Sequence, residues 1–543
     1  MDYLTRENVL SAVAALILAQ VVVFILKLRA DRAKFRGRPG PPHSFIWGHL
    51  GAMGAIAKSD HHPDEVFQDF ANKYGDVYYL NLWPMAYNMM IITDPDVADN
   101  LARSMAPKSP TYHESDALIG KHSILTLEGD EWKKLRKIFN PGFSYRNLEP
   151  LIPAIMEETQ VFVEKLESLA KSGEVFKMNE EVTALTIDVI GRAILSVRLH
   201  TQKDRSHPMV HAFQNILHLT ESRARFPLFE NIRLYRRYQY WKNERTLDNY
   251  FREQVREHQV RAAANAKEGA TKKDMDIIDL ALLDAQRSID EYAHQAKTFF
   301  LAGHDTTSSA VTWAYTELGQ HAECLKRLRE EHDAVLGPET ANDTEALCRK
   351  LKANPSLINK LPYTLQVIKE VLRLWPPAAT ARMMQSSSAT LPVNNEHWPA
   401  DYMILYIPHY ILHRDPKTWG PTANAFDPER FAEGREVPKA YQPFAKAPRS
   451  CIGQELALIE AKIILAFTAR RFEFEPQIKE PYQISQLTAK PVAAMPMKIK
   501  IAVKVYGRKL MLSLPYPCQI APKPLVATAN TQYSMHKKSR HPS

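Results

Sequence analysis

The first pattern along the chain is an uncharged apolar run, Val9 to Leu26, reading VLSAVAALILAQVVVFIL and broken only by Ser11 and Gln20. At about 1.5 Å per residue such a run rises about 27 Å as a helix, enough to cross a thin bilayer core. Lys27, Arg29, Arg32, Lys34, Arg36 and Arg38 follow it, opposed only by Asp31, whereas Asp2, Arg6 and Glu7 nearly cancel in front. The positive-inside bias therefore predicts a signal anchor over residues 9–28, with 1–8 lumenal and everything downstream cytosolic. A cleaved signal peptide is the competing reading. The length of the run and the lack of a small-residue cleavage site before the basic cluster argue against it. Pro39-Gly40-Pro41-Pro42 cannot continue a helix, so residues 29–42 read as a basic, proline-rich hinge.

Beyond the hinge the pattern is mostly that of amphipathic helices, at 151–171, 181–197, 208–221, 239–266, 291–320 and 361–375. Short strand-like runs occur near 77–82, 88–93 and 403–407, and no fixed-period repeat is visible. This predicts a mainly α folded body with small β-sheets over 43–514. Residues 515–543, polar, proline-bearing and basic, read as a disordered tail.

Composition narrows the class. A 45% hydrophobic content excludes disorder as the main state, and 19 glycines in 543 residues exclude collagen-like repeats. Cys324, Cys348, Cys451 and Cys518 are too scattered for a disulfide scaffold or a paired-cysteine zinc site, which favours a reduced, cytosol-facing protein. The excess of 70 Lys+Arg over 61 Asp+Glu gives +9. Composition alone cannot choose among nucleic acid, an anionic membrane and an acidic partner, but six cations less Asp31 place about five of those charges in the stop-transfer cluster from Lys27 to Arg38.

Two segments carry chemistry. Phe444-Ala445-Lys446-Ala447-Pro448-Arg449-Ser450-Cys451-Ile452-Gly453 precedes a helical pattern, QELALIEAKIILAFTARRF. A cysteine just before a helix start has backbone N–H groups and the positive dipole end at its sulfur, which favours thiolate. Such a thiolate suits a haem iron as axial ligand; Gly453 would let the backbone pass close to a flat macrocycle, and Arg449 offers a cation to a propionate. An inert buried cysteine is the plain alternative. Upstream, Ala302-Gly303-His304-Asp305-Thr306-Thr307 puts small and hydroxyl residues inside an apolar helix. Gly303 would allow close approach of a cofactor, Thr306 can bond a carbonyl one turn back, and Asp305 would help deliver protons. A kinked helix with a surface His-Asp pair is the alternative for this segment.

At these residues the chain resembles the cytochrome P-450 superfamily, whose cysteine loop reads Phe-x-x-Gly-x-Arg-x-Cys-x-Gly. Phe444, Arg449, Cys451 and Gly453 match, and Ala447 stands where the family usually has glycine. The 302–307 segment is similar to the family's acid-alcohol segment, with Asp305 and Thr306 as the pair. Glu370 and Arg373, followed by Pro428-Glu429-Arg430-Phe431, resemble the motifs from which Glu370, Arg373 and Arg430 would form a buried charged triad. Trp132, Arg136 and Arg382 resemble residues that bind haem propionates. The resemblance runs from about Pro39 to about 505 with its motifs in order.

The resemblance implies the cytochrome P-450 fold behind a transmembrane helix, haem b bound through Cys451, and monooxygenation of an apolar small molecule using dioxygen, two electrons and two protons. It also implies an endoplasmic-reticulum location, an NADPH–cytochrome P-450 reductase, cytochrome b5 as a further partner, and no nucleic acid. Lys133, Lys134, Lys137 and Lys446 would give that reductase a basic docking face, with a solvated cationic face as the alternative. Segments 105–125, 205–235 and 378–383 would line the substrate pocket, and the texture is similar to fungal enzymes of polyketide or terpenoid secondary metabolism. Three other readings stay open: a P-450-fold isomerase or dehydratase, a membrane-anchored haem sensor or carrier, and a hydrolase using Ser308, His304 and Asp305. The last lacks a nucleophile elbow.

Overall fold

The computed structural model describes residues 6–58, 61–225, 234–268, 276–283 and 287–502. The expected tail 515–543, Cys518, the start of the lumenal segment and residues 226–233 of the expected pocket lining lie outside them.

The six helical periods form helices Ile152–Ser172, Met178–Leu195, Pro208–Arg225, Leu234–Glu268, Ile289–Gln320 and Pro362–Leu374. The longest buried one, Ile289–Gln320, runs through the middle of the body and is called the central helix below. Its start is fixed by a capping box in which Ser288 and Glu291 each satisfy the other's backbone N–H. It packs against Met178–Leu195, Leu234–Glu268, Pro362–Leu374 and Gln454–Thr468, so a residue on any of its faces meets a different part of the protein. Trp313 on this helix stacks on Trp375 with ring centroids 3.7 Å apart, tying it to the end of Pro362–Leu374.

The strand-like runs become Val77–Leu80, Met89–Ile92 and Ile404–Ile407, joined by Thr380–Met383 in one four-stranded sheet. Val77–Leu80 pairs antiparallel with Met89–Ile92, which runs parallel to Ile404–Ile407 with Met90 opposite Leu405. Thr380–Met383 closes the sheet antiparallel and places Arg382 opposite Leu405. A hairpin of Gln483–Ser485 and Ala489–Pro491 reaches from the C-terminal part of the body to the central helix.

The hinge expectation needs correcting. The first helix does not stop near residue 28 but continues unbroken from Arg6 to Lys34, and Leu28, Arg32 and Phe35 are buried against the body. No helix-breaking residue occurs before Gly37, and docking satisfies the polar side chains of that last turn. The non-helical part of the expected hinge therefore begins after Lys34 and holds the proline-rich stretch.

Candidate haem-thiolate site

The cysteine loop ends in helix Gln454–Thr468, for which Gly453 is the N-cap. The Cys451 N–H donates to the Phe444 carbonyl at 2.8 Å and folds the loop back on itself. Cys451 lies deep within the protein, yet its surface is exposed, so it lines an internal space rather than the outer surface. Burial pushes its thiol up, and the Gly453 N–H and the Arg136 charge offset only part of that. The Gly453 N–H thus acts in the direction expected of a helix start, desolvation outweighs it, and a coordinated metal would deprotonate such a thiol. A Cβ at Gly453 would touch only Phe143, at 3.9 Å, so packing leaves room for a flat group there. Ala447 does not have a positive φ; the left-handed residue of this loop is Ala445, at φ 55°.

On the central helix, Ala302 is exposed and Thr306 half-buried, one turn apart, between buried Leu301, His304, Asp305 and Thr307. Thr306 Oγ1 donates to the Ala302 carbonyl at 2.7 Å. Asp305 faces the other way, towards the 483–491 hairpin, where its Oδ1 lies 2.6 Å from Lys490 Nζ and its Oδ2 accepts from the Thr488 hydroxyl. Burial pushes the Asp305 carboxyl up, but Lys490, His304 and Thr488 together reverse this and hold it below the usual range. A cavity of about 150 Å³ borders Asp305, His304 and Lys490, with Asn179, Thr183 and Gln214 also on its wall. Gly303 is not placed to admit a cofactor. A Cβ there would lie 2.4 Å from Ile190 Cδ1, so its missing side chain serves the close crossing with helix Met178–Leu195.

Trp132, Arg136, Arg382 and Arg449 come together as one cluster. Arg449 Cζ lies 5.1 Å over the Trp132 ring and Lys108 Nζ lies 5.6 Å from it. Lys108 also bridges to Arg382 through the backbone. Burial, with the neighbouring Arg449, Arg382 and Arg136, pushes the Lys108 ammonium down to about 7 despite Glu128. Glu128 takes two hydrogen bonds from Arg449 and one from the Lys108 N–H. Glu128 thus offsets only part of the positive charge gathered here, and Arg382 Nε and Arg449 Nε, both buried, have no hydrogen-bond partner. This unbalanced positive charge, beside an inward-facing cysteine and a glycine with space over it, fits the carboxylates and flat ring of a haem.

Glu370, Arg373 and Arg430 are also brought together. Arg373 donates to both Glu370 oxygens, at 2.7 and 2.8 Å, and Arg430 Nε approaches Glu370 Oε1 at 3.4 Å. Arg373 further binds the carbonyls of His413, Ala423 and Ala425, fixing the chain that leads into the cysteine loop.

Of the expected docking lysines, Lys133 and Lys134 are exposed but paired with Asp130 and Glu131, at 2.9 and 2.8 Å, and Lys137 is exposed. Lys446 departs from the expectation: it is partly buried, donates to the Tyr441 carbonyl at 3.1 Å and lies 3.8 Å from Asp99. The hydrolase reading fails, because His304 Nδ1 donates to the Phe300 carbonyl and Ser308 Oγ donates to the Asp305 carbonyl, so no relay joins them.

Lys108, Glu128 and Lys490 are the site residues that sequence reasoning missed. Glu128 had a signal, since it precedes Trp132 and Arg136 at four-residue spacing, although it stands at the N-cap of their helix in extended conformation. Lys490 had none: it lies 185 residues from Asp305.

The fold is that of the haem domains of cytochrome P-450 monooxygenases. The solved haem domain of cytochrome P450DA superposes with a TM-score of 0.71 at 22% identity, covering 86% of this chain and 98% of that one. The family model for cytochrome P450 matches residues 39–502, and the chain belongs to that family. It is 32% identical to cytochrome P450 monooxygenase acrF of Aspergillus aculeatus, over 79% of this chain and 94% of that protein. Cytochrome P450 monooxygenase polC of Polytolypa hystricis is 28% identical over 86% of this chain and 88% of its own. Human cytochrome P450 4A11 is 28% identical over 94% and 96%. The protein is therefore a cytochrome P450 monooxygenase with a haem-thiolate cofactor, and its N-terminal apolar helix is long and apolar enough to cross a membrane.

Proposed function

We propose that this monooxygenase oxidises an apolar small molecule of fungal secondary metabolism at the endoplasmic-reticulum membrane, with electrons from an NADPH-dependent reductase. The observation that carries the site reading is the buried cation cluster of Lys108, Arg136, Arg382 and Arg449 facing the same interior as Cys451. Haem b bound through a cysteine thiolate supplies the chemistry that splits dioxygen and places one oxygen atom on the substrate.

The chain's own residues do the rest. Cys451 would supply the thiolate, and Arg136, Arg382 and Arg449 with Trp132 would hold the cofactor's carboxylates, while the Lys108 ammonium is bonded to the Ile124 and Leu127 carbonyls. Asp305 stays ionised beside the cavity and can take up a proton there; Thr306, the next residue, presents its hydroxyl to the other face of the helix, held on the Ala302 carbonyl. The small residues Ala302, Ala378 and Ala379 leave space for a bulky apolar substrate. Exposed Lys133, Lys134 and Lys137 on helix Gly129–Phe139, next to the cation cluster, offer the reductase a face. The fungal relatives support the secondary-metabolism reading.

The test is turnover of the full chain with a reductase in vesicles under isotope-labelled dioxygen, with polyketide and terpenoid substrates. Label in one product oxygen supports the reading, whereas product carrying only oxygen from water, or isomerised without oxygen, overturns it.

A further inference from the structure

Two tryptophans meet beside the C-terminal half of the central helix. Trp313 is fully buried on that helix, and Trp375, half-buried, caps the end of helix Pro362–Leu374. Their ring centroids lie 3.7 Å apart and their planes 3° apart, so the indoles overlap face to face. Neutral aromatic rings prefer offset or edge-on contacts, because directly overlaid π-faces repel. Full overlap is instead the geometry that lets two rings share an electron vacancy, which makes the pair easier to oxidise than one indole.

The two indole nitrogens have different surroundings. Trp313 Nε1 is buried and has no hydrogen-bond partner among the described residues, so its proton has nowhere to go. Trp375 Nε1 donates at 2.5 Å to Oε1 of Glu317, one turn beyond Trp313 on the central helix. The other Glu317 oxygen lies 3.3 Å from His321 Nδ1. Burial pushes the Glu317 carboxyl up, which makes it a stronger base than an exposed glutamate. Arg414 Cζ sits 4.8 Å over the Trp375 ring, and that fixed positive charge disfavours a second one on the indole. An oxidised Trp375 is therefore stable only once its N–H proton has left, and Glu317 is placed to take it. Trp313 follows Thr306 on the same helix, about 10 Å further along the axis.

We propose that Trp313 and Trp375 form an electron-donor site that discharges the oxidised cofactor when no substrate is positioned to be oxidised. One electron leaves the stacked pair and reduces the oxidised haem by one equivalent. The Trp375 Nε1–H bond breaks and its proton bonds to Glu317, leaving a neutral indolyl radical. A small thiol then supplies one electron, becoming a thiyl radical as its own proton passes to water, and the Glu317 proton returns to Nε1. This rests on the haem-thiolate reading, and the test separates the two.

The full-chain ferric holoprotein, carrying ring-deuterated tryptophan, is mixed with 3-chloroperbenzoic acid without substrate and frozen for electron paramagnetic resonance. The proposal expects an organic radical that is narrowed by the label, shows no exchangeable N–H coupling and is lost in Trp375→Phe. Trp313→Phe, which breaks the indole pair, should cut its yield. In Glu317→Gln, which cannot take the proton, the radical should be absent or carry an N–H coupling that disappears in heavy water. The red-shifted Soret band of the reduced, carbon-monoxide-bound protein checks the fold of each variant. In the wild-type protein alone, peptide mapping should find oxidised tryptophan at Trp313 and Trp375 ahead of exposed Trp241. No radical in protein that shows the band, a tyrosine radical, a radical unchanged in Trp375→Phe, or oxidation confined to Trp241 overturns the donor site. An unchanged yield in Trp313→Phe overturns the pairing, and a wild-type-like radical in Glu317→Gln overturns the proton step. A wild-type protein without the band overturns the haem-thiolate reading instead.

Discussion

Lys490 Nζ lies 2.6 Å from Asp305 Oδ1 and also donates to the Asp305 carbonyl at 2.8 Å, so one ammonium holds both ends of a buried residue on the central helix. Removing it leaves a carboxylate in a site with no other nearby cation except His304, whose own charged form burial disfavours. Lys490→Met should lower stability by about 3–5 kcal/mol, read from the urea midpoint. It should also raise the Asp305 pKa, so that a protonated-carboxyl infrared band, absent in Asp305→Asn, appears near neutral pH. Lys490→Arg should keep most of both.

The Glu370–Arg373 pair is fully buried and should behave as a structural unit. Arg373→Met strands the Glu370 carboxylate and loosens three carbonyls, with a predicted loss of about 3–5 kcal/mol and little haem-loaded protein recovered. Lys133→Met, which breaks an exposed pair, should leave the urea midpoint unchanged.

The cation cluster makes a prediction about retention of the cofactor. Arg382→Leu and Arg449→Leu each remove a charged donor, and haem transfer to apomyoglobin should quicken about tenfold for each. Trp132→Phe, which keeps a ring but shortens the platform, should have a smaller effect. An unchanged transfer rate in both arginine variants would count against a propionate role.

Several histidines are buried neutral. Burial pushes His332 down to about 3 and His49, His294 and His409 down to about 4. Above the ordinary value of 6.5 both folded and unfolded chains hold these groups neutral, so they cause no pH dependence. Below it the unfolded chain binds protons that the folded one does not, and stability falls as pH falls. Each group then contributes up to about 1.4 kcal/mol per pH unit. The melting temperature should therefore drop between neutral pH and pH about 5, and His332→Gln should flatten part of that slope. The depressed Asp305 acts in the same direction at lower pH, as its stabilising charge is lost below the unfolded carboxylate pKa.

Local pattern made the helices and the first strands legible, because each buries one stripe or face, and periodicity records that directly. Cys451, Thr306 and the Glu370–Arg373 spacing were legible for the same reason, being local motifs. Glu128 could have been found from its spacing to Trp132 and Arg136. The partners of Asp305 could not, because contact between a central helix and a C-terminal hairpin leaves no local trace. Gly303 was misread because a small residue in a helix signals close approach without saying to what, and here the neighbour is Ile190. The basic cluster after the apolar run was read as the stop-transfer signal and the start of a hinge; its docking was not legible, because the partners that satisfy the buried Arg32 lie on loops at 45–46 and 81–83.

The measurement that bears most directly on the site is the absorption spectrum of the reduced, carbon-monoxide-bound protein beside that of Cys451→Ala. The account predicts a strongly red-shifted Soret band in the wild-type protein and its loss in the variant. A wild-type protein without that band, or a variant that keeps it, would contradict the assignment of Cys451 as the thiolate of this monooxygenase.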